Sequence, residues 1–178
     1  MILVALVGCA REPESTAPIS HPEDTAPDVT CPPLEPTGLA VGERALDVVM
    51  ADCMGAPASL HDLCGRPALI ANWYGWCPSC EENAALARRL ADEHPDLSVA
   101  VVLDEDPLAD PVDAGLCAAY RDAYPSASAV WMDPRKALEA YGSTDLVLVL
   151  DRDGTLRFVR QTATEDAIVA AVEDVIGA

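Results

Sequence analysis

The segment "ANWYGWCPSCEEN", residues 71–83, sets two thiols two residues apart, Cys77 and Cys80, with Pro78 and Ser79 between them. Three kinds of chemistry use that spacing. A dithiol can exchange with a disulfide, a pair of thiolates can supply half of a zinc site, or the two sulfurs can form a static cross-link. Exchange needs a thiolate, because the thiolate and not the thiol is the nucleophile. A cysteine at a helix N-terminus gains that form from the free N–H groups and the macrodipole. A second cysteine one turn on can reach back and resolve the mixed disulfide. Zinc would need further ligands, and the spacing Cys53-x10-Cys64-x12-Cys77-x2-Cys80 is not a familiar zinc pattern. A two-residue loop contributes little chain entropy as a static cross-link. Exchange is therefore the reading carried forward, with no metal and no bound organic cofactor. Trp73, Trp76 and Pro78 flank the pair and offer apolar surface to a partner polypeptide.

The elements around the motif fit that use. "RPALIANWY", residues 66–74, is an unbroken apolar run between Gly65 and Gly75 and reads as a buried central strand. A helix follows from Pro78 to about His94, with Pro78 in the first turn, where its missing N–H has no helical partner to lose. Pro95 ends it. "LSVAVVLD" (97–104) is a second buried strand, 112–124 a helix, 128–133 a short strand and 134–142 a helix closed by Gly142. Strands at 145–151 and 155–161 flank the turn Asp151-Arg152-Asp153-Gly154, and 164–177 is an amphipathic helix with Thr164 as N-cap. Upstream, strands from about 45 to 60 form a hairpin that Pro57 assigns to a sheet edge. Alternating strands and helices ending in a hairpin predict an α/β fold with a mixed central sheet and helices on both faces.

Composition narrows the function classes. The net charge is −19, with 11 basic residues and no basic run longer than Arg88-Arg89. A nucleic-acid surface needs clustered cations, so that class is set aside. Seven cysteines suit an oxidising compartment, and the odd number leaves one outside any full set of internal pairs. Cys53 and Cys64 flank the hairpin and are candidates for a local disulfide. Cys117, in "GLCAAY", reads as a small buried hydrophobe, and Cys31 has no assigned role. His21, His61 and His94 are not placed as ligands or bases.

The N-terminus predicts the location. "MILVALVGCA" resembles a bacterial lipoprotein signal ending in Cys9, the residue that would be lipidated. It lacks a basic leading region, and its apolar run is far short of the about 20 residues needed to span a bilayer. Residues 10–40 carry seven prolines among Ser, Thr, Glu and Asp, a composition that cannot bury enough apolar surface to order itself. The expected plan is a signal at 1–9, a disordered tether at 10–40 and a folded domain at 41–178. That places the domain in the bacterial envelope, lipid-anchored and extracytoplasmic.

"GAPASLHDLCGRPALIANWYGWCPSCEENAALARRLADEHPDLSVAVVLDED", with tryptophan directly before CPxC, resembles the thioredoxin-like redoxins of the TlpA/AhpC-TSA group. "AYGSTDLVLVLDRDG" resembles their late strand and hairpin, so the likeness covers about 45–178. It implies a thioredoxin-like fold and an envelope thiol–disulfide oxidoreductase with Cys77 as nucleophile and Cys80 as resolving thiol. It further implies a protein disulfide as substrate and a membrane dithiol protein as electron donor. Three positions depart from the pattern. The family's cis-proline, which meets bound substrate opposite the cysteines, is replaced by Asp145. If Asp145 faces Cys77, its charge disfavours the thiolate. The Glu found three residues after the second cysteine in many relatives is Asn83, beside Glu81 and Glu82. Ala71 stands where classical thioredoxins bury an Asp. These departures keep two alternatives open: a catalytically weak thioredoxin-fold binding or metal-holding protein, and a peroxiredoxin-like peroxidase.

Overall fold

The computed structural model describes residues 37–177; Cys9, Cys31 and residues 10–36 of the tether lie outside the described residues. Strand β5 (Ala68–Tyr74) is buried at every position and forms the spine of a seven-stranded mixed sheet. It pairs in parallel with β6 (Ser98–Glu105) and antiparallel with β8 (Leu146–Leu150). Outward lie β7 (Ala129–Met132), β3 (Val49–Asp52) and the edge strand β4 (Pro57–Ser59) on one side, and β9 (Leu156–Gln161) on the other. Pro57 is thus on an edge, where its missing N–H breaks no ladder. A two-residue parallel pair, β1 (Thr37–Gly38) with β2 (Arg44–Ala45), stands outside this sheet.

Alternation along the strands builds two cores. Leu69, Ala71, Trp73, Val101 and Leu103 face one side, where α1 (Pro78–Glu93), α2 (Ala114–Ala123) and α3 (Glu165–Ile176) pack. Ala68, Ile70, Val102 and Leu148 face the other, covered by the 3₁₀ turns Leu60–Leu63 and Ala137–Ala140 and by Ala45 and Val48. Helical elements cover both faces, as the pattern predicts, and the long ones share one face. The helix expected at 134–142 contracts to the 3₁₀ turn. Lys136 sits in the left-handed region at φ 53°, which interrupts a right-handed helix, and the buried Asp133 carboxylate accepts the N–H groups of Ala137 and Leu138 at 2.8 and 2.7 Å.

The cysteine pairing differs from the expected Cys53–Cys64 bridge. Cys53 is bonded to Cys117 of α2, 64 residues away, and both are buried. Sheet register is the reason. β3 pairs with β7, Asp52 opposite Trp131, so Cys53 emerges on the α-helical face among the residues under α2. Cys64 caps the 3₁₀ turn Leu60–Leu63, whose buried leucines belong to the opposite core, and it is disulfide-bonded elsewhere. Cys117 is therefore a cross-link residue and not a plain core hydrophobe. Closing a loop of this length stabilises by about 4 kcal/mol in the chain-entropy account. The C53A/C117A double variant is expected to lose about 2–5 kcal/mol in urea unfolding while retaining the far-ultraviolet circular dichroism of the native fold.

Candidate active site

The junction of β5 and α1 positions the CxxC. Gly75 lies so close to the 105–107 loop that a Cβ would stand 2.5 Å from Pro107 N, so only glycine lets the chain turn here. Cys77 then takes an extended conformation as the N-cap of α1, and Pro78 opens the helix. The Cys77 Sγ accepts the backbone N–H of Cys80 at 3.2 Å, as an N-cap side chain does. The two cysteines form a disulfide with 5.3 Å between their Cα atoms. Cys77 is 8% exposed and Cys80 0%, while Pro78 and Ser79 are open to solvent. The pair is therefore asymmetric: any partner sulfur reaches Cys77 first. On reduction, the same N–H and the α1 dipole favour the Cys77 thiolate.

The two tryptophans behave differently. Trp76 is 46% exposed, leans on the Tyr74 ring with centroids 5.4 Å apart, and donates its indole N–H to Glu105 Oε2 at 2.7 Å. Lys136 Nζ donates to Glu105 Oε1 at 2.7 Å; these two donors hold the Glu105 carboxyl below the usual carboxylate range. Trp73 is buried, and its indole donates to Glu81 Oε2 at 2.7 Å. Arg88 donates to Glu81 Oε1 at 3.4 Å and to the Tyr120 hydroxyl at 2.7 Å, with its guanidinium 3.4 Å from the Tyr124 ring centroid. Of the residues expected to meet substrate, Trp76 and Pro78 stand on the surface and Trp73 serves as packing beneath it. Glu81 is occupied as the clamp between Trp73 and Arg88.

Asp145 directly precedes β8 and is not an aspartate laid over a proline's backbone. Its φ is 61°, in the left-handed region, which proline with φ near −65° cannot enter. Its carboxylate turns to α1, where Asn83 Nδ2 donates to Oδ1 at 2.6 Å, and both side chains are buried. Two of the departures from the redoxin pattern are therefore one hydrogen-bonded pair. Asn72 of β5 holds the loop from below, donating to Ser143 O at 3.1 Å and accepting the Leu146 N–H at 2.7 Å. Thr144 O accepts from Gln161 and Asp145 O from the Thr162 N–H.

Sequence reasoning passed over Asp104 and Tyr74. Tyr74 forms one small buried cluster with Cys77 and Cys80, and its hydroxyl is buried without a hydrogen-bond partner. Asp104 ends the apolar run of β6, is 4% exposed, and its Oδ2 is likewise buried and unpartnered. Burial pushes Asp104 up to about 8; Asp133, Glu139 and Glu105 add to this and Lys136 opposes it. The signal was the acidic run "DED" at the carboxyl end of a buried strand, where sites in α/β sheets gather. Among the described residues no group of three or more His, Cys, Asp or Glu side chains could hold a metal ion.

Two outcomes follow from this geometry. Asp145→Pro is expected to destabilise by about 1–3 kcal/mol in urea unfolding, whereas Asp145→Asn, which tolerates φ 61° and can still accept a hydrogen bond, costs less. Asp104 binds a proton on folding between its ordinary 3.8 and about 8, so the folded chain carries more protons than the unfolded one in that window. Its contribution to stability then falls as pH rises, at most about 1.4 kcal/mol per pH unit, and levels above about pH 8. Asp104→Asn is expected to flatten the decline between about pH 5 and 8 in urea titrations.

The comparisons agree with this architecture. The redoxin family's sequence pattern matches residues 22–176. An exposed lipoprotein thioredoxin of Streptococcus pneumoniae superposes with TM-score 0.57 at 22% identity, covering 72% of this chain and 99% of its own. A Chlorobium tepidum structure described as a thiol:disulfide interchange protein gives 0.58 at 20% identity, covering 76% and 99%. A secreted disulfide oxidoreductase of Mycobacterium tuberculosis gives 0.53 at 19% identity, covering 71% and 95%. No curated protein matches the chain. At these identities the structural likeness establishes the thioredoxin-like fold, and the sequence pattern, spanning most of the chain, supplies the family. With a CxxC disulfide at the strand–helix junction of that fold, the chain belongs to the redoxin family of oxidoreductases.

Proposed function

We propose that this chain is an extracytoplasmic thiol–disulfide oxidoreductase that exchanges protein disulfides through Cys77 and Cys80. The observation that carries the reading is the asymmetric CxxC at the α1 N-terminus, with the Cys77 sulfur at the N-cap and Cys80 sealed beneath it. The reduced Cys77 thiolate attacks a partner disulfide, forms a mixed disulfide, and Cys80 displaces the reduced partner. Trp76 and Pro78 supply the exposed surface on which the partner polypeptide rests, with Glu105 fixing the indole. Electrons for the next cycle come from a membrane dithiol protein. The relatives named as an exposed lipoprotein and as a secreted enzyme support an extracytoplasmic location. Among the described residues no helix is long and apolar enough to cross a membrane, and a lipid on Cys9 with the segment between it and β1 as tether would provide the attachment.

One observation favours a second reading, a binding protein with little turnover. The backbone carbonyls of Ser143, Thr144 and Asp145 all accept internal hydrogen bonds, so this loop offers a partner strand few acceptors. The Cys77–Cys80 reduction potential separates the two readings. Equilibration in thiol/disulfide buffers, alkylation and mass analysis of the fragment carrying both cysteines should give a reversible two-electron couple. A value near about −200 to −300 mV marks a reductant and one near about −120 mV an oxidant. Cys80→Ser should accumulate the mixed disulfide. A pair that never cycles supports the binding protein.

A further inference from the structure

Of the seven cysteines, five lie in the described domain, and all five are in disulfides. Cys53 is bonded to Cys117 and Cys77 to Cys80. Cys64 is bonded as well, and those four sulfurs are taken, so its partner is Cys9 or Cys31. The bond therefore joins the domain to the segment that precedes β1. Backbone contacts bring the start of β1 close to Cys64. Gly38 stands opposite Ala45 of β2, one strand spacing or about 5 Å away. Ala45 O lies 2.9 Å from Nε2 of His61, in the 3₁₀ turn that Cys64 caps, and the Cys64 N–H donates to His61 O at 3.2 Å. A second route leads to the same place. The Ala45 N–H donates to Gly154 O at 2.9 Å, and Arg152 O of the same hairpin turn accepts the Gly65 N–H at 2.8 Å. Cys31 is six residues before Thr37, and six residues of extended chain reach about 20 Å. That is enough to cross one strand spacing and one histidine side chain. Cys9, on the lipoprotein reading proposed above, carries its lipid as a thioether and has no thiol to offer.

We propose that Cys31 and Cys64 form a disulfide that fastens the N-terminal segment to the domain at the end of β5 remote from the CxxC. Cys64 precedes β5 and Cys77 follows it, and the seven residues of the strand set its two ends about 20 Å apart. Without the bond, an anchor at Cys9 acts through residues 10–36 and pulls on β1. With it, the anchor acts through 10–30 and the pull arrives at Cys64. The exchange site is then held at the opposite end of the sheet from the attachment, open to partners. The bond forms by exchange with a disulfide oxidant of the compartment. Each thiol gives up one proton, the sulfur–sulfur bond forms, and the electron pair reduces the oxidant's disulfide to two thiols. The inference goes beyond the exchange reading and does not depend on turnover at Cys77 and Cys80.

The test uses the full chain equilibrated with glutathione disulfide. Free thiols are blocked with N-ethylmaleimide, and the chain is unfolded in urea and cleaved before aspartates without reduction. The fragment 28–46, which holds Cys31, should appear joined to 62–91, which holds Cys64, and the two should separate on reduction. Cys9→Ser and C77S/C80S should leave the joined species intact. Cys31→Ser, made in the Cys9→Ser background, should abolish it and add one maleimide at Cys64. Three results overturn the assignment: maleimide on Cys64 in the unmutated chain, a bond from 62–91 to the fragment 1–23 that carries Cys9, or a covalent dimer by intact mass.

Discussion

At the end of β5 the backbone passes so near the 105–107 loop that a side chain at Gly75 would collide with backbone atoms. That close approach is the constraint on which the site depends. The seven buried residues of β5 fix the strand between β6 and β8, and the turn at Gly75 delivers the next residues to the surface. Cys77 then becomes an N-cap because Pro78 starts the helix at the following residue. Burial of Cys80 is a consequence of α1 lying on the sheet, and it separates the two sulfurs into an accessible one and a sealed one.

The acidic composition is put to local use around this junction. Glu81 ties Trp73 to Arg88, Glu105 ties Trp76 to Lys136, and Asp133 caps a 3₁₀ turn. Each such carboxylate is compensated by donors, which makes its burial or partial burial tolerable. Asp104 has no such donor at Oδ2, and the cost of charging it appears as the rise of its proton affinity. An uncompensated buried acid costs stability at high pH.

Asn83 and Asp145 look in the sequence like two unrelated losses, 62 residues apart. In the fold they are one contact joining α1 to the loop before β8. The left-handed backbone at Asp145 is one a proline cannot take, and the hydrogen bonds of Asn72, Gln161 and Thr162 hold this loop in place. The same long-range logic governs the cysteines, where Cys53 finds Cys117 through the β3–β7 register.

The local signals were enough for the elements. Continuous apolar runs marked β5, β6 and β8, Pro78 and Pro95 bracketed α1, and the CxxC at that boundary marked the candidate site. These features depend on residues within a few positions of one another, so the sequence alone determined them. The exception, the shortened helix at 134–142, arose from one left-handed residue that no propensity at Lys136 announces. Tertiary structure decided which cysteines pair, where Asp145 points and why Asp104 is unpartnered. Each depends on sheet register or on what packs against a side chain from a distant segment. A one-residue shift in register sends a side chain to the opposite face, so such contacts stay undetermined until the strands are assembled.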